Sequence, residues 1–316
     1  MDSTVPESLG DSVTPGSLCP GGAFDYYNVP QATQWKSIYL PKVVARVNKY
    51  ISGNLNLTTA DVALFFDLCG YESQISGRLS PWCSAMTEEE FEDYQYGMDL
   101  YYWYTNGPGA GKPLAVNLPF VKRVVDLLAQ GPGIKGVDQN GNAFDVPDLL
   151  MTFALDVNVN NIVGLAGVFD NEKPLPPNAR SKNYNFVSSR ITPMRGTVAF
   201  ERLTCSPDAG FCKDKGKVKG KRAAPTSSSS ASAAANGTYI RILLNDAVYP
   251  VANCQDGPGR SCSMEKYVKY ISDKYAAFGN YKALCNATSN TAAPDVVLGA
   301  SFFTDLRESW LGFLWA

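Results

Sequence analysis

The sequence predicts an α/β protein, with a mostly helical domain followed by a partial sheet domain. Up to about residue 140, apolar residues recur at three- and four-residue steps, which is the period of an amphipathic helix. Beyond Asn140-Gly141, short strand-like runs alternate with helical segments. Of the 316 residues, 45% are hydrophobic and 18% charged, so the chain can bury a sizeable core.

The first two predicted helices follow from apolar periodicity and helix-capping residues. The first carries an apolar stripe over residues 35–51, with Pro41 as a point where it kinks or restarts. The second begins at Thr58 or Thr59, whose hydroxyl can accept a free amide of the first turn, and ends near Cys69-Gly70.

The third and fourth helices have clearer boundaries. Thr87-Glu88-Glu89-Glu90 is a capping box, and the helix that it starts should run to Asn106-Gly107. We interpret its acidic residues as first-turn groups that favour the helix dipole, the alternative being a glycosidase-like acid pair. The fourth helix covers Phe120 to Leu128 and ends before Gly131-Pro132-Gly133.

The second half should contain three strands and two helices. Together with the helical first half and the two ends, they divide the chain into four parts. The strands are predicted at Leu149 to Leu155, Gly196 to Cys205 and Tyr239 to Val251, and the helices around Asn160 to Phe169 and Met264 to Ala277. The parts are an amino-terminal extension (1–30), the helical domain (31–140), the partial α/β domain (141–288) and an apolar tail (289–316).

Two segments that contain glycine and lysine have a functional interpretation as well as a structural one. The lysine-rich and Ser/Ala-rich stretch 213–236 is predicted to be a mobile insertion, with an anion-binding patch or a dibasic processing site at Lys221-Arg222 as alternatives. The segment Gly107 to Lys112 resembles a phosphate-binding loop, but it is one residue too short and Pro113 follows the lysine. We therefore predict a turn there.

Composition excludes several classes of function. The chain contains no histidine, which rules out Ser-His-Asp and Cys-His catalysis, His-ligated zinc and a phosphohistidine intermediate. A net charge of −2 gives no basis for nucleic-acid binding. No apolar run reaches the length of a membrane span, and no cofactor or metal is expected.

The cysteines and the glycosylation sequons indicate the cellular compartment in which the protein resides. Eight cysteines, an even number without metal-site spacing, accompany glycosylation sequons at Asn56, Asn236 and Asn286. Together they predict a secreted or cell-surface, disulfide-bonded glycoprotein. A cytosolic protein with buried thiols is the alternative, and the amino terminus shows no signal-peptide pattern.

Several ordered blocks of sequence resemble fungal histidine acid phosphatases, the family that includes the fungal phytases. The blocks are Leu68-Cys69-Gly70-Tyr71-Glu72, Ser80-Pro81-Trp82-Cys83, Thr87-Glu88-Glu89-Glu90-Phe91, Ser189-Arg190-Ile191-Thr192-Pro193-Met194-Arg195-Gly196, Phe200-Glu201-Arg202-Leu203-Thr204-Cys205, Ile242-Leu243-Leu244-Asn245-Asp246 and the run from Cys254 to Cys262. They extend from about Cys19 to Cys285. The resemblance implies that family's fold and a phosphomonoester ligand.

The resemblance also implies a disulfide pattern. It pairs Cys69 with Cys83 and Cys254 with Cys262, both across short loops. Cys19 would then pair with Cys285. In the family, the cysteine at the position of Cys205 is bridged to a more amino-terminal segment, so Cys212 is predicted to take over as its local partner.

Two departures from the family pattern concern catalysis. The family's R-H-G-x-R-x-P segment, whose histidine attacks phosphorus, has no match in this sequence. The second catalytic block, F-x-H-D, aligns with Phe153-Ala154-Leu155-Asp156, so Leu155 stands at the histidine position and Asp156 at the proton donor's. Aspartate supplies neither a strong nucleophile nor a phosphate clamp. A helix-capping role for Asp156 is the alternative to a vestigial proton donor.

The sequence is therefore compatible with three functions. The first is a phosphatase-like glycoprotein without catalytic activity. The second is an acid phosphatase or phytase represented by an incomplete chain. The third is a secreted module whose tyrosine-rich helix, with Tyr101 and Tyr102, contacts a protein or glycan partner.

The unmatched family segment also has a structural consequence. By the resemblance, it contributes central strands of the sheet, so this chain should expose a sheet edge and apolar surface. The aromatic tail from Val297 to Trp315 is a candidate cover for that surface, and a disordered or mis-assigned extension is the alternative.

Overall fold

A computed structural model describes residues 11–13, 15, 19, 28–205, 237–278, 281–285 and 299–307. Within these residues the helices are α1 (Pro30–Val47), α2 (Thr59–Ser76), α3 (Glu88–Thr105), α4 (Lys112–Ala115), α5 (Leu118–Gln130), α6 (Asp156–Leu165), α7 (Ser188–Ile191), α8 (Met264–Phe278) and α9 (Tyr281–Leu284). The strands are β1 (Lys135–Val137), β2 (Ala143–Asp145), β3 (Val198–Cys205), β4 (Gly237–Leu244), β5 (Ala247–Val248) and β6 (Cys262–Ser263). The predicted α/β class is confirmed.

Both sheets are small and antiparallel. Strands β1 and β2 form a hairpin around the turn at Asn140-Gly141. In the larger sheet, β4 lies at the centre: β3 pairs along its whole length, from Val198 opposite Leu244 to Cys205 opposite Gly237. The short strands β5 and β6 pair with the two ends of β4 on its other side.

Two apolar clusters fill the interior. One surrounds α1, α2 and α3 and includes the fully buried Tyr96 and Leu100. The other lies among α5, α6, α8 and β4 and includes Tyr267 and Ile271. Strand β4 reaches both clusters, because Leu244 belongs to the first whereas Ile240 and Ile242 belong to the second.

Helix capping agrees with the sequence at the amino-terminal ends. Thr58 caps α2 and Thr87 caps α3, each through a complete capping box with the carboxylate three residues later. At α3, Glu90 also forms a two-pronged ion pair with Arg46 of α1, with nitrogen to oxygen distances of 2.6 and 2.7 Å. The acidic first turn therefore has the structural role expected for it.

Helix α2 is longer than predicted, because Gly70 does not end it. The helix continues to Ser76 and stops at Gly77, which adopts the left-handed conformation with φ of 65°. Gly70 is exposed, and a side chain there would contact nothing within 4 Å, so a helix can pass through it at modest cost. Likewise, Pro41 lies inside α1, and the helix runs on to Val47.

The glycines of the 107–112 segment serve packing. A side-chain carbon at Gly109 would collide with the indole of Trp103, and one at Gly107 with the ring of Phe186. These two aromatic rings stack edge to face at 5.2 Å. The loop leads into the single turn of α4, with no strand before it among the described residues.

The segment predicted as the first strand of the second half, Leu149 to Leu155, belongs to no strand. Residues 149–154 form no backbone hydrogen bond with any residue that the structure describes. The segment has the composition of a strand, but the sheets described here give it no partner. The predicted strand Tyr239 to Val251 is also divided, because Asn245 and Asp246 turn the chain with positive φ between β4 and β5.

Three disulfides join the described cysteines. Cys19 is bonded to Cys285, Cys69 to Cys83, and Cys254 to Cys262. Cys205 is also disulfide-bonded, and Cys212, its predicted partner, lies outside the described residues. So do the insertion 213–236 and the sequons at Asn236 and Asn286, whereas Asn56 is exposed on the connection before α2.

The described part of the tail, residues 299–307, packs on α5 and β1. The ring of Phe303 lies 6.3 Å from that of Phe120, and Asp305 forms a parallel bridge with Val137. This segment therefore covers a helix and the small hairpin. Strand β3 keeps one edge without a paired strand among the described residues.

Candidate functional site

The residue predicted to be a vestigial proton donor, Asp156, is the first residue of α6. Its carboxylate is exposed and accepts a hydrogen bond from the hydroxyl of Tyr102 on α3. The side chain of Asn158, and not that of Asp156, accepts the backbone N–H of Leu155 at 3.1 Å. Asp156 therefore adds a favourable charge at a helix start, and its carboxylate stays available to a neighbouring ligand.

Asp156 lies in an open groove of about 370 Å³ between α3, α6 and α7. Helix α3 contributes five side chains to it at positions 91, 94, 95, 98 and 102, which share one helix face. The full lining consists of Phe91, Tyr94, Gln95, Met98, Tyr102, Asp156, Ser188, Ser189 and Thr192. Of these residues, the sequence marked only Asp156 and Tyr102 as functional candidates, although the helical periodicity of α3 could have marked the rest of that face.

The serine-bearing wall of the groove is anchored by a buried carboxylate. Asp99 has no exposed surface, and its Oδ1 accepts hydrogen bonds from both the backbone N–H and the hydroxyl of Ser188, each at 2.6 Å. Its Oδ2 accepts from the hydroxyl of Tyr184 at 2.7 Å. Burial raises the pKa of Asp99, while the donors from Ser188 and Tyr184 and the charge of Arg190 oppose that rise.

Tyrosine hydroxyls on the α3 face are tied to acceptors. Burial and then the hydrogen bond to Asp156 raise the pKa of Tyr102, so its hydroxyl stays protonated at any physiological pH. The hydroxyl of Tyr94 donates to Asp67 of α2 at 2.6 Å, and burial raises the pKa of Tyr94 as well. At the other wall, Ser189 donates to the amide oxygen of Gln95 at 3.1 Å.

The groove carries one negative charge and no positive one among its nine lining residues. A phosphate dianion is normally held by arginine or lysine side chains or by converging backbone N–H groups, and Asp156 would repel it. The side chain beside Asp156, Leu155, is exposed and cannot act as a nucleophile. The groove offers one carboxylate, that of Asp156, together with hydroxyl and amide groups that can form hydrogen bonds.

The described residues contain one group of potential metal ligands outside this groove, namely Cys254, Asp256 and Cys262. Both sulfurs of that group are consumed by the disulfide between them, which leaves a single carboxylate. No helix in the described part of the chain is long and apolar enough to cross a membrane.

Comparison with known proteins gives consistent matches. Residues 2–245 match the histidine phosphatase superfamily, branch 2. The constitutive acid phosphatase of Saccharomyces cerevisiae is 27% identical over 292 residues, which cover 90% of this chain and 53% of that protein. Phytase PHO112 of Candida albicans is 26% identical over 264 residues, covering 84% of this chain and 48% of the relative.

A solved structure shows the same fold. The phytase from D. castellii superposes with a TM-score of 0.67 at 24% identity, covering 94% of this chain and 54% of that one. The chain thus spans about half the length of the curated relatives and of the phytase that it matches.

Proposed function

Since the chain belongs to the histidine phosphatase superfamily, branch 2, we propose that it is a phosphatase-like protein that does not hydrolyse phosphomonoesters by itself. The observation that carries this proposal is the groove beside Asp156. It keeps a carboxylate that could protonate a leaving group, but its described lining offers neither a histidine nor a cation. The absence of histidine throughout the sequence supports the same conclusion.

Phosphoryl transfer depends on positioning and on electrostatic stabilisation of the transferring group. Aspartate can donate a proton to the leaving alkoxide, a contribution of about 10²–10⁴-fold in rate. Without a clamp on the phosphoryl oxygens, that proton transfer has no bound substrate to act on. In this proposal Asp156 is therefore a retained structural and electrostatic feature of the family site.

The test is a phosphatase assay on the purified, folded chain. Release of phosphate from p-nitrophenyl phosphate and from phytate is measured at acidic pH, beside Asp156→Asn. The matched control is Asp145→Asn, at an exposed aspartate of the β1–β2 hairpin that pairs with Lys135. We expect no turnover above background in all three proteins. Wild-type turnover that Asp156→Asn abolishes and Asp145→Asn preserves would contradict the proposal.

A second candidate is an acid phosphatase or phytase of which this sequence is one portion. The observation in its favour is the coverage: the matched relatives named acid phosphatase and phytase are about twice as long as the aligned region. Mass spectrometry of the native protein tests it. Peptides continuous with this sequence and extending beyond it would show that the chain is part of a longer product, and phosphatase activity of that product would establish the second candidate.

A third candidate is a module that binds carbohydrate. Its support is the chemistry of the groove, where tyrosine rings, hydroxyl groups, an amide and one carboxylate face a single opening. Sugars are bound by aromatic faces and neutral hydrogen-bonding groups of this kind. Glycan-array binding that is lost in Tyr102→Ala and kept in Tyr50→Ala, an exposed tyrosine outside the groove, would favour it.

We also propose that the protein is a secreted or cell-surface glycoprotein. Disulfides persist in oxidising compartments, and the described residues contain three with both partners seen. Asn56 is exposed and therefore accessible to glycosylation. Treatment of the native protein with an endoglycosidase should reduce its mass, and Asn56→Gln should remove one glycan.

A further inference from the structure

The glycosylation sequon at Asn56 ends in the amino-terminal cap of α2. Asn56-Leu57-Thr58 fits the acceptor pattern Asn-x-Ser/Thr, and its third residue, Thr58, is also the residue that caps the helix. Asn56 is exposed, so its side-chain amide is accessible and an attached glycan would project into solvent. The other two residues of the motif are engaged in hydrogen bonds in the folded chain, which affects the stage at which a glycan can be added.

The acceptor pattern indicates what the transferring enzyme needs from each position. Asparagine supplies the nitrogen, and serine or threonine two residues later supplies a hydroxyl. Proline is excluded between them, so the backbone of the middle residue must also be free to adopt the bound conformation. In the transfer, the amide nitrogen loses a proton and bonds to the first sugar of a lipid-linked oligosaccharide, whose bond to the lipid diphosphate breaks.

The backbone of the middle residue, Leu57, is held by the side chain of Asn48. The N–H of Leu57 donates to Asn48 Oδ1, and the amide of Asn48 donates to the carbonyl oxygen of Leu57, each at 2.9 Å. One amide therefore occupies both main-chain polar groups of Leu57. The side chain of Leu57 is half-buried and packs against the cluster around α1, α2 and α3, so releasing this backbone also exposes apolar surface.

The hydroxyl of Thr58 is engaged in both directions by Asp61. It donates to Asp61 Oδ2 at 2.6 Å and accepts the backbone N–H of Asp61 at 3.4 Å. The backbone N–H of Thr58 donates to the same Oδ2 at 2.8 Å. These hydrogen bonds lower the pKa of Asp61, so their acceptor is a charged carboxylate at neutral pH, which strengthens them. An enzyme that must contact this hydroxyl therefore has to open the cap of α2 first.

We propose that the folded chain is a poor acceptor for glycosylation at Asn56, and that a glycan is added there before Asn48 and Asp61 close around the sequon. The inference deepens the proposed glycosylation of Asn56 and rests on it for its setting in a secreted protein. A helix cap and a pair of partly buried hydrogen bonds each reduce the open population about fivefold. Folding and glycan transfer then compete for the same three residues.

The test uses the whole chain, folded with its disulfides in a host that adds no glycan. The chain is incubated with purified oligosaccharyltransferase and lipid-linked oligosaccharide, beside a synthetic peptide of residues 52–60, and mass spectrometry measures the glycan gained at Asn56. We expect the folded chain to be modified at no more than about one-tenth of the peptide's rate. Asn48→Ala and Asp61→Ala should each raise that rate about fivefold, because each opens one of the two contacts.

The matched control is Thr87→Ala, which removes the equivalent capping hydroxyl from α3. It lowers the stability of the whole fold by an amount similar to the loss of the α2 cap and leaves the sequon unchanged. Its rate of modification at Asn56 should equal that of the wild type. Far-ultraviolet circular dichroism establishes that each variant is folded before the rates are compared.

Three results would overturn the proposal. The first is a folded wild-type chain that is modified at the peptide's rate. The second is a pair of folded variants, Asn48→Ala and Asp61→Ala, that are modified no faster than the wild type. The third is a rise in Thr87→Ala equal to that in Asp61→Ala, which would assign the effect to global unfolding. Absence of a glycan at Asn56 in the native protein would contradict the proposed glycosylation of that residue, whereas these rates decide the inference drawn here.

Discussion

Asp99 shows how one residue determines the shape of the groove. It is fully buried, yet it receives three hydrogen bonds that fix α7 and Tyr184 against α3. Its Oδ1 lies 2.6 Å from the backbone nitrogen of Ser188, although the two residues are 89 positions apart in the sequence. No local pattern relates these two positions, so sequence reasoning could find neither the anchor nor the serine wall that it holds.

Removing the Asp99 carboxylate should destabilise the protein. Asp99→Ala leaves the N–H and hydroxyl of Ser188 and the hydroxyl of Tyr184 without an acceptor, which should cost about 3 kcal/mol of unfolding free energy. Urea unfolding measures this. Ser189→Ala, which loses only an exposed hydrogen bond to Gln95, should cost under about 0.5 kcal/mol. Equal effects of the two substitutions would show that Asp99 is not an anchor.

The pH dependence of stability should also report on Asp99. Because burial raises its pKa in the folded state, the folded protein holds a proton that the unfolded chain releases. This contribution to stability is complete below the unfolded pKa of about 3.9 and is lost as the pH rises through the folded pKa. The unfolding free energy of the wild type relative to Asp99→Asn should therefore fall as the pH rises above about 4. A difference that grows with pH would contradict the direction of this shift.

At the scale of elements, capping signals predicted helix starts well. The capping boxes at Thr58 and Thr87 are local, since donor and acceptor lie within three residues, and the structure contains both. The end of α2 was missed because the first glycine after an apolar run is not always the residue that adopts positive φ. In α2, Gly77 has a positive φ and Gly70 does not.

Strands were harder to predict, because a strand is defined by a partner. The segment 149–155 has a strand-like composition and lacks a described partner. Conversely, β1 and β2 were missed because three residues each are too few to show an alternating pattern. Strand β3 was predicted to within two residues, whereas the strand predicted from Tyr239 ran on past the turn that ends β4. The two strands pair with each other over eight residues.

The cap on α3 gives a test at this scale. Thr87→Ala removes the hydroxyl that accepts the N–H of Glu90 at 3.3 Å, and should lower the unfolding free energy by about 1 kcal/mol. Thr87→Ser keeps the acceptor and should lie within about 0.5 kcal/mol of the wild type. Thermal unfolding of the three proteins checks this. Equal losses for alanine and serine would mean that the methyl group, not the cap, stabilises the helix start.

At the scale of the whole molecule, the ordered sequence blocks identified the superfamily and its fold, which the comparisons confirm. The division of the chain near residue 140 stays a prediction. The groove could not be predicted, because α3, α6 and α7 contribute to it from positions up to 101 residues apart (91 to 192). Only the alignment of Asp156 with a family position indicated where that groove would lie.

The disulfide between Cys19 and Cys285 acts at the same scale, since it closes a loop of 266 residues and ties the ends of the described fold together. In the chain-entropy model a loop of that length contributes about 5.6 kcal/mol, against about 2.5 kcal/mol for the short loop between Cys254 and Cys262. Replacing both cysteines of the long bridge by serine should therefore destabilise the protein about twice as much as replacing both of the short one. Guanidinium unfolding under non-reducing conditions measures the two differences. If the short bridge costs as much or more, chain entropy is not what these disulfides contribute, and enthalpic effects in the folded state or solvation of the unfolded chain would account for their stabilisation.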